Sequence, residues 1–323
     1  MSQHSHNKIR RVYSRVYHAL GRAELQANPP EQELLIDLLF EPTHDYWLGF
    51  YTKDGLLLAL ERYGFLDDIR RLGYEELDIE LVLDEPEEQL FRLVSKLPDL
   101  GPPLIEILAR RSYLNLSREL RSELGDAQLP VLNVEWLLLQ NPLKTFDALR
   151  PPLPGQLLPG LGLGREVFEL LRNVCTRLKL AGLIVVPSYM HNGVFYDPDF
   201  HYCDPHYQGL FEALKRDLLG ESPTPARIMQ MTWAVRWGFV FDTNEEATLP
   251  FKWFHEPMVS VVSKQTRDFI ESQWYQQERQ QAERQHHFHV AEDLLNAKLQ
   301  EHGIFPYNEE VFAQWQAREE GLV

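Results

Sequence analysis

Pro159-Gly160-Leu161-Gly162-Leu163-Gly164-Arg165 runs directly into Glu166-Val167-Phe168-Glu169-Leu170-Leu171-Arg172. Three glycines at alternate positions open what reads as an amphipathic helix. Alternating glycines let a backbone turn tightly and let a ligand come close to it. A helix start presents unpaired N–H groups and a partial positive charge. The combination predicts an anion site, most often one for phosphate. Downstream, Val167, Leu170, Leu171, Val174 and Leu178 recur at helical spacing, and residues 182–187 read as a buried strand. Upstream, residues 132–139 read as a central strand. Strict alternation puts Asn133, Glu135, Leu137 and Leu139 on one face and Leu132, Val134, Trp136 and Leu138 on the other. Prolines 142, 151, 152, 154 and 159 lie in the connection between that strand and the glycines.

The remainder of the chain supplies the other layers. Residues 8–25 predict a basic amphipathic helix, and 34–40 form a short apolar run. Residues 46–52 look strand-like. Asp54 is a candidate cap for a helix reaching Arg62, and a further helical turn spans 66–72. Three strands, 77–83, 89–96 and 103–110, follow at short spacing and predict an antiparallel meander. Helices are expected at 117–124, 191–196 and 207–219, the last ended by Gly220. Residues 233–241 look like an aromatic strand. Residues 263–302 look mostly helical, and 276–289 are so polar that they read as a solvated helix or one that packs on a partner. The expected fold class is α/β in the α+β sense, a mixed sheet with helices on its faces.

Composition narrows the function classes. The 323 residues are 44% hydrophobic and 25% charged, with a net charge of −16, as in a soluble globular protein. That charge argues against a nucleic-acid or anionic-membrane partner. No apolar run approaches the ~20 residues that span a bilayer. The polar N-terminus lacks the pattern of a secretory signal, and Cys175 and Cys203 form no disulfide framework. A cytoplasmic location is expected. Between Lys144 and Leu183, six basic residues face three acidic ones. This local excess of +3 around a helix start favours an anionic ligand.

Several chemistries are excluded by what the motifs lack. A nucleotide P-loop needs Gly-Lys-Ser/Thr where Arg165-Glu166 stand. A dinucleotide fingerprint needs its third glycine one residue later and its strand immediately before the turn. There is no Gly-x-Ser-x-Gly elbow and no His-Glu-x-x-His. His201, Cys203, Asp204 and His206 crowd together, as do His286, His287 and His289, but neither group has a second ligand pair at zinc spacing. No metal is expected.

The strand at 132–139, Gly162-x-Gly164-Arg165 with Leu170-Leu171, the strand at 182–187, and then Asn192 and Tyr196 resemble the GNAT superfamily of acyl-CoA N-acyltransferases. The resemblance is good for residues 132–200, loose for 45–131 and absent after 220. Pro159 stands where that family has Gln or Arg, which removes a backbone donor. Tyr196 follows Asn192 by four residues where the family more often has about seven. The resemblance implies a GNAT-like domain at 41–220, a mostly antiparallel mixed sheet flanked by helices. A helical extension would precede it at 1–40, and an aromatic strand with a helical extension would follow at 221–323. It implies acetyl-CoA or another acyl-CoA as co-substrate, with the N–H groups of Leu161, Gly162, Leu163, Gly164 and Arg165 on the pyrophosphate and Asn192 nearby. The pantetheine arm would lie where the strands at 132–139 and 182–187 splay apart.

Under this reading Glu135 is the candidate base for the amine acceptor, and Tyr196 would protonate the leaving thiolate. A strand N–H near residues 137–139 would stabilise the oxyanion. Each residue has a plainer alternative. Glu135 would be a sheet carboxylate paired with a cation, Tyr196 a packed core tyrosine, and Asn192 a helix cap. The acceptor would be a small-molecule or peptide amine, and a homodimer is compatible with the aromatic strand and the polar helix. The rival reading is a GNAT-shaped binding or scaffold protein without catalysis.

Overall fold

The computed structural model describes residues 3–26, 46–85, 88–97, 101–114, 128–147, 150–197, 199–243 and 249–319, with side chains from residue 8 onward. The expected apolar run at 34–40 and helix at 117–124 lie outside the described residues. The fold is α+β with mostly antiparallel strands. Contacts divide the chain into two compact units. One comprises Met1–Asn115, Gln128–Leu143 and Gly160–Ile184; the other comprises Leu116–Ala127, Lys144–Pro159 and Val185–Val323. Residues 185–220 and the C-terminal hundred residues therefore share a unit.

The first unit opens with helices α1 (Gln3–Ala19) and α2 (Arg22–Gln26). The expected single helix breaks at Leu20-Gly21, where the Gly21 N–H donates to Glu24 Oε2 at 2.8 Å. Residues 46–52 form a tight turn instead of a strand. A lone bridge joins Trp47 to Tyr51, and Leu48 and Gly49 have positive φ. Helix α3 (Lys53–Arg62) follows, and its cap is not the expected Asp54 but Thr52, two residues earlier, whose Oγ1 accepts from the Gly55 N–H. It leads to α4 (Phe65–Arg71). Strands β1 (Leu77–Glu85), β2 (Glu88–Ser95), β3 (Ile105–Tyr113) and β4 (Pro130–Leu139) pair in sequence as an antiparallel meander, as their spacing predicted, with one additional strand joined on at β4. Ile79, Phe91, Leu93, Ile105, Ile107, Ala109 and Val134 are buried and make one face of this sheet the core face.

Helix α5 (Gly164–Arg177) and strand β5 (Gly182–Val185) complete the unit. β5 is the neighbour of β4. Their entrances are joined by the Ala181 N–H donating to the Pro130 carbonyl at 2.6 Å. Val167, Phe168, Leu171, Val174 and Cys175 are buried on α5, so the periodicity identified its inward stripe.

In the second unit, α6 (Met190–Tyr196) leads to β6 (Phe200–Tyr202). Next comes α7 (Pro205–Leu214), which starts at an Asp204 cap and continues as a π-helical turn to Leu219. Residues 233–241 are mostly not a strand. Helix α8 (Pro225–Arg236) takes up Met229, Met231, Trp233, Ala234 and Val235, and only β7 (Val240–Asp242) is extended. A helix buried on nearly every side has no clean period, so its apolar run resembles a buried strand. Thr224 Oγ1 caps α8 by accepting from the Arg227 N–H at 3.2 Å.

Strand β8 (Met258–Val261) pairs with β6. Helices α9 (Lys264–Ile270) and α10 (Gln273–Gln285) follow. The polar stretch then turns into β9 (Phe288–Val290), which pairs with β7, before α11 (Glu292–Glu301) and α12 (Glu309–Glu319).

The polar helix α10 is exposed along much of its length but has one face within the fold. It packs on α7, burying Tyr275 and Ala282. The contact needs Gly209: a Cβ there would overlap the Arg279 carbonyl oxygen and sit 2.8 Å from the Ala282 Cβ. Gly209→Ala is therefore expected to destabilise the protein by about 1–3 kcal/mol through overpacking. It should do so although alanine is the better helix former by ~1 kcal/mol. Urea unfolding of the two proteins measures this, and an unchanged or higher midpoint would remove the close crossing.

Candidate functional site

The glycine turn returns to the strand that precedes it. The chain leaving β4 is pinned at once: the Gln140 N–H donates to the Leu104 carbonyl at 3.0 Å, and Gln140 Nε2 donates to the Pro103 carbonyl at 2.8 Å. Tyr74, fully buried, donates to Asn141 Oδ1 at 2.6 Å and accepts from the Leu143 N–H. Residues 144–159 belong to the second unit, where the Pro152 carbonyl accepts from Trp233 Nε1 at 3.0 Å. The chain then comes back to the end of β4. A Cβ on Gly160 would stand 3.6 Å from the Leu139 carbonyl oxygen, and one on Gly164 3.8 Å from Leu139 Cδ1. The twenty-residue lead-in thus separates strand and turn in sequence but not in space.

Gly162 is exposed and has φ +79°, the left-handed region where a side chain is strained. It turns the chain so that α5 begins at Gly164. Leu161 is buried beneath the turn, and Leu163, the N-cap, has no side-chain acceptor to offer. The start of α5 is therefore the N–H-rich end that the sequence led us to expect.

Its electrostatics differ from the expectation. Of the six basic residues, Lys144 and Arg150 belong to the second unit, and Arg150 pairs with Asp147. Arg172 lies 4.0 Å from Glu169. Arg177 is at the far end of α5, about 20 Å from Gly164 at 1.5 Å per residue. Lys179 lies beyond it. Arg165 adjoins the turn in sequence. Glu166 folds its carboxylate onto its own backbone N–H, and burial raises its pKa, helped by the charge of Asp68. The same carboxylates, with Glu169, push the buried Tyr13 hydroxyl further up after desolvation. The helix start thus carries its own anion.

Glu135 occupies a β-bulge. Leu108 pairs with Trp136 and Ala109 with Val134, which leaves Glu135 as the extra residue of β4. The alternation expected for this strand breaks there. Leu137 and Leu139 pair with the core-facing Ile107 and Ile105, while Glu135 sits with Arg110 and Asn133 on the opposite face. Trp136 is 52% exposed beside it. Glu135 Oε1 accepts from Arg110 Nε at 2.5 Å and from Asn133 Nδ2 at 3.2 Å. Glu135 is thus a sheet carboxylate paired with a cation.

Asn192 and Tyr196 lie on α6, in the second unit. Asn192 Oδ1 accepts from the Tyr189 N–H at 3.1 Å, so it fastens the first turn of α6. Tyr196, the last residue of α6, packs against Phe200, and burial pushes its hydroxyl up to about 12. A phenol in that state keeps its proton at neutral pH. Glu135 and the glycine turn belong to the first unit, and Asn192 and Tyr196 to the second.

Sequence reasoning gave His191 little weight. It is 3% exposed, stacked on Tyr189, with no partner for Nδ1 among the described residues. Desolvation lowers its pKa to about 3. The signal for burial was its place on the inward face of a short helix. Cys203, in the other histidine-rich cluster, is also buried, and its thiol is pushed up to about 12. Among the described residues no three His, Cys, Asp or Glu side chains converge on a metal-sized site. None of the described helices is long and apolar enough to cross a membrane. No protein-family model matches this chain, and no curated protein matches it.

Two pH dependences follow. The folded-state pKa of Glu166 lies above its ordinary value of 4.5, so the folded state holds the proton more tightly and stability falls as pH rises through that interval. Glu166→Gln should raise the unfolding midpoint at pH 7 and lose that advantage near pH 4; an equal effect at both would refute the charge argument. For His191 the sign is opposite. Its folded pKa is depressed from 6.5 to about 3, so its contribution is complete above 6.5 and is lost as pH falls toward 3. His191→Phe should flatten the decline of stability between those limits in chemical-denaturation series.

Proposed function

We propose that this protein is an acyl-CoA-dependent N-acyltransferase of the GNAT type, transferring an acyl group, most simply acetyl, to an amine. One observation carries the reading: the glycine turn comes back to the carboxyl end of the bulged strand β4 and launches α5 there, and α5 leads to β5 beside β4. Ligands of open α/β sheets bind beyond the carboxyl ends of strands. A helix start at that place suits a pyrophosphate. Bulges are over-represented beside active sites, where they re-aim a side chain.

In this reading the N–H groups of Leu161 to Arg165 receive the pyrophosphate and Glu166 moves aside. The acceptor nitrogen attacks the thioester carbonyl, the C–S bond breaks, and the amine's proton passes to Glu135 directly or through water. The departing thiolate takes up a proton from solvent. The compartment is the cytoplasm, and the acceptor is a small-molecule or peptide amine.

A second reading, a GNAT-shaped binding protein without catalysis, is favoured by a specific observation. Glu135 Oε1 is already satisfied by Arg110 and Asn133, and the helix start already holds the Glu166 carboxylate.

Calorimetry with acetyl-CoA should give saturable micromolar binding, which Gly162→Val weakens and Glu166→Gln strengthens. No heat and no thermal shift with any CoA ester sinks both readings. Thiol release from acetyl-CoA with a panel of primary amines separates them. The enzyme reading expects turnover that Glu135→Gln lowers by about 10²–10⁴ without loss of CoA binding. Binding without turnover leaves the scaffold.

A further inference from the structure

Four apolar side chains cross the outer face of the β1–β4 meander in one line. Val82 pairs with Leu90, Leu90 with Leu108 and Leu108 with Trp136. The line therefore runs through all four strands, over about 14 Å. The bulge at Glu135 is what brings Trp136 into it. Outward rows on a solvated sheet face are ordinarily polar, and the adjacent row is: Glu80 pairs with Arg92 and Arg92 with Glu106. Val82, at the β1 end of the apolar line, is 39% exposed. An open basin of about 550 Å³ lies along the line, rimmed by Asp84, Glu85, Glu88 and Glu106.

β1 is the terminal strand of its sheet, and β2 is its one strand neighbour among the described residues. A terminal strand holds a row of backbone N–H and C=O groups outside the ladder, which is a template for a further strand. Ile79 is buried on the core side of β1, while Glu80, Val82 and Asp84 are exposed on the outer side. An added strand would meet these three with its own alternate side chains. The carboxylates there have no local answer. Arg92, opposite Glu80, gives its Nε to Glu106 at 2.6 Å. Lys53 and Lys96 both engage Asp78. Glu85 faces another carboxylate, Glu88, across the hairpin. Among the described residues no cation pairs with Glu80, Asp84, Glu85 or Glu88. Two copies of β1 set antiparallel, edge to edge about Val82, would place Glu80 against Asp84, which is unfavourable. The charges that keep β1 from its own copy suit a cationic strand.

We infer that the edge of β1 takes up an extended segment of a partner protein in which two cationic side chains flank an apolar one at alternate positions. The segment's backbone pairs with the edge, its cations meet Glu80 and Asp84, and its apolar side chain extends the line that begins at Val82. The edge lies three strands from β4, and the inference does not use the acyl-CoA reading.

Fluorescence anisotropy of a labelled peptide, Thr-Lys-Thr-Ile-Thr-Lys-Thr with blocked ends, tests this on the full-length protein. Saturable one-to-one binding of submillimolar affinity is expected, with slowed amide exchange along β1 in the complex. Replacing both lysines of the peptide by glutamate should weaken binding at least about tenfold. N-methylation of every second peptide residue keeps the side chains and removes ladder donors. Made in both phases, it should abolish binding in one of them. The double variant Glu80→Lys, Asp84→Lys should turn the preference toward the glutamate peptide, with the circular dichroism spectrum retained. If that variant does not fold, the peptide series and the exchange pattern decide. Absence of saturable binding, equal affinity for the lysine and glutamate peptides, or undiminished binding in both methylated phases overturns the proposal. So does protection that spares β1, or an unchanged preference in the folded double variant.

Discussion

One extra residue in β4 governs the first unit. Side chains alternate strictly across a strand, so a shift of one position exchanges the buried and exposed sets. In β4 both ends must face inward. Leu137 and Leu139 pair with core-facing residues of β3 on one side of Glu135, and Val134 pairs with buried Ala109 on the other. No unbroken strand satisfies both. The bulge absorbs the mismatch at the position where a charged side chain can go outward. Glu135 therefore faces away from the core because the leucines and valines around it cannot. The same phase change is what leaves Trp136 exposed and gives Arg110 its partner.

The glycine turn depends on that strand's end. With β4 terminating at Leu139 and the next residues pinned through Gln140, Asn141 and Tyr74, the only way for α5 to cover the core face is for the chain to return close to Leu139. Gly162 allows the reversal through its positive φ. Once α5 is seated, its first N–H groups need acceptors, and the Glu166 carboxylate on the first turn serves its own N–H. The burial that raises the Glu166 pKa and the acidic residues near Tyr13 belong to the same arrangement. The start of α5 thus carries a resident carboxylate.

The second unit is held by a different economy. Its apolar cluster runs through Met229, Met231, Trp233, Leu295, Leu299 and Ile304. Its polar helix α10 contributes through close approach instead of apolar bulk. Gly209 lets the α10 backbone come near, and Tyr275 reaches in to donate to the Tyr202 carbonyl at 2.6 Å. Arg279 joins Glu212 across the same contact. A helix with two buried side chains can still be structural when its backbone is what packs.

What the residues determined by themselves was local. The meander at 77–110, the strand at 132–139 and much of the inward stripe of α5 follow from hydrophobic period, which acts over a few residues. Where several interactions compete over a distance, tertiary structure decided. Strand or helix at 225–241 was settled by burial on all sides, since an apolar run without a period is equally compatible with both. The face taken by Glu135 was settled by the bulge, which has no sequence mark because it arises from matching two strands. The partners of the basic residues around the glycine turn were settled by the fold, which gives Arg150 to Asp147 and sets Arg172 beside Glu169. Position along a sequence says which charges are neighbours in number; only the fold says which are neighbours within a Debye length.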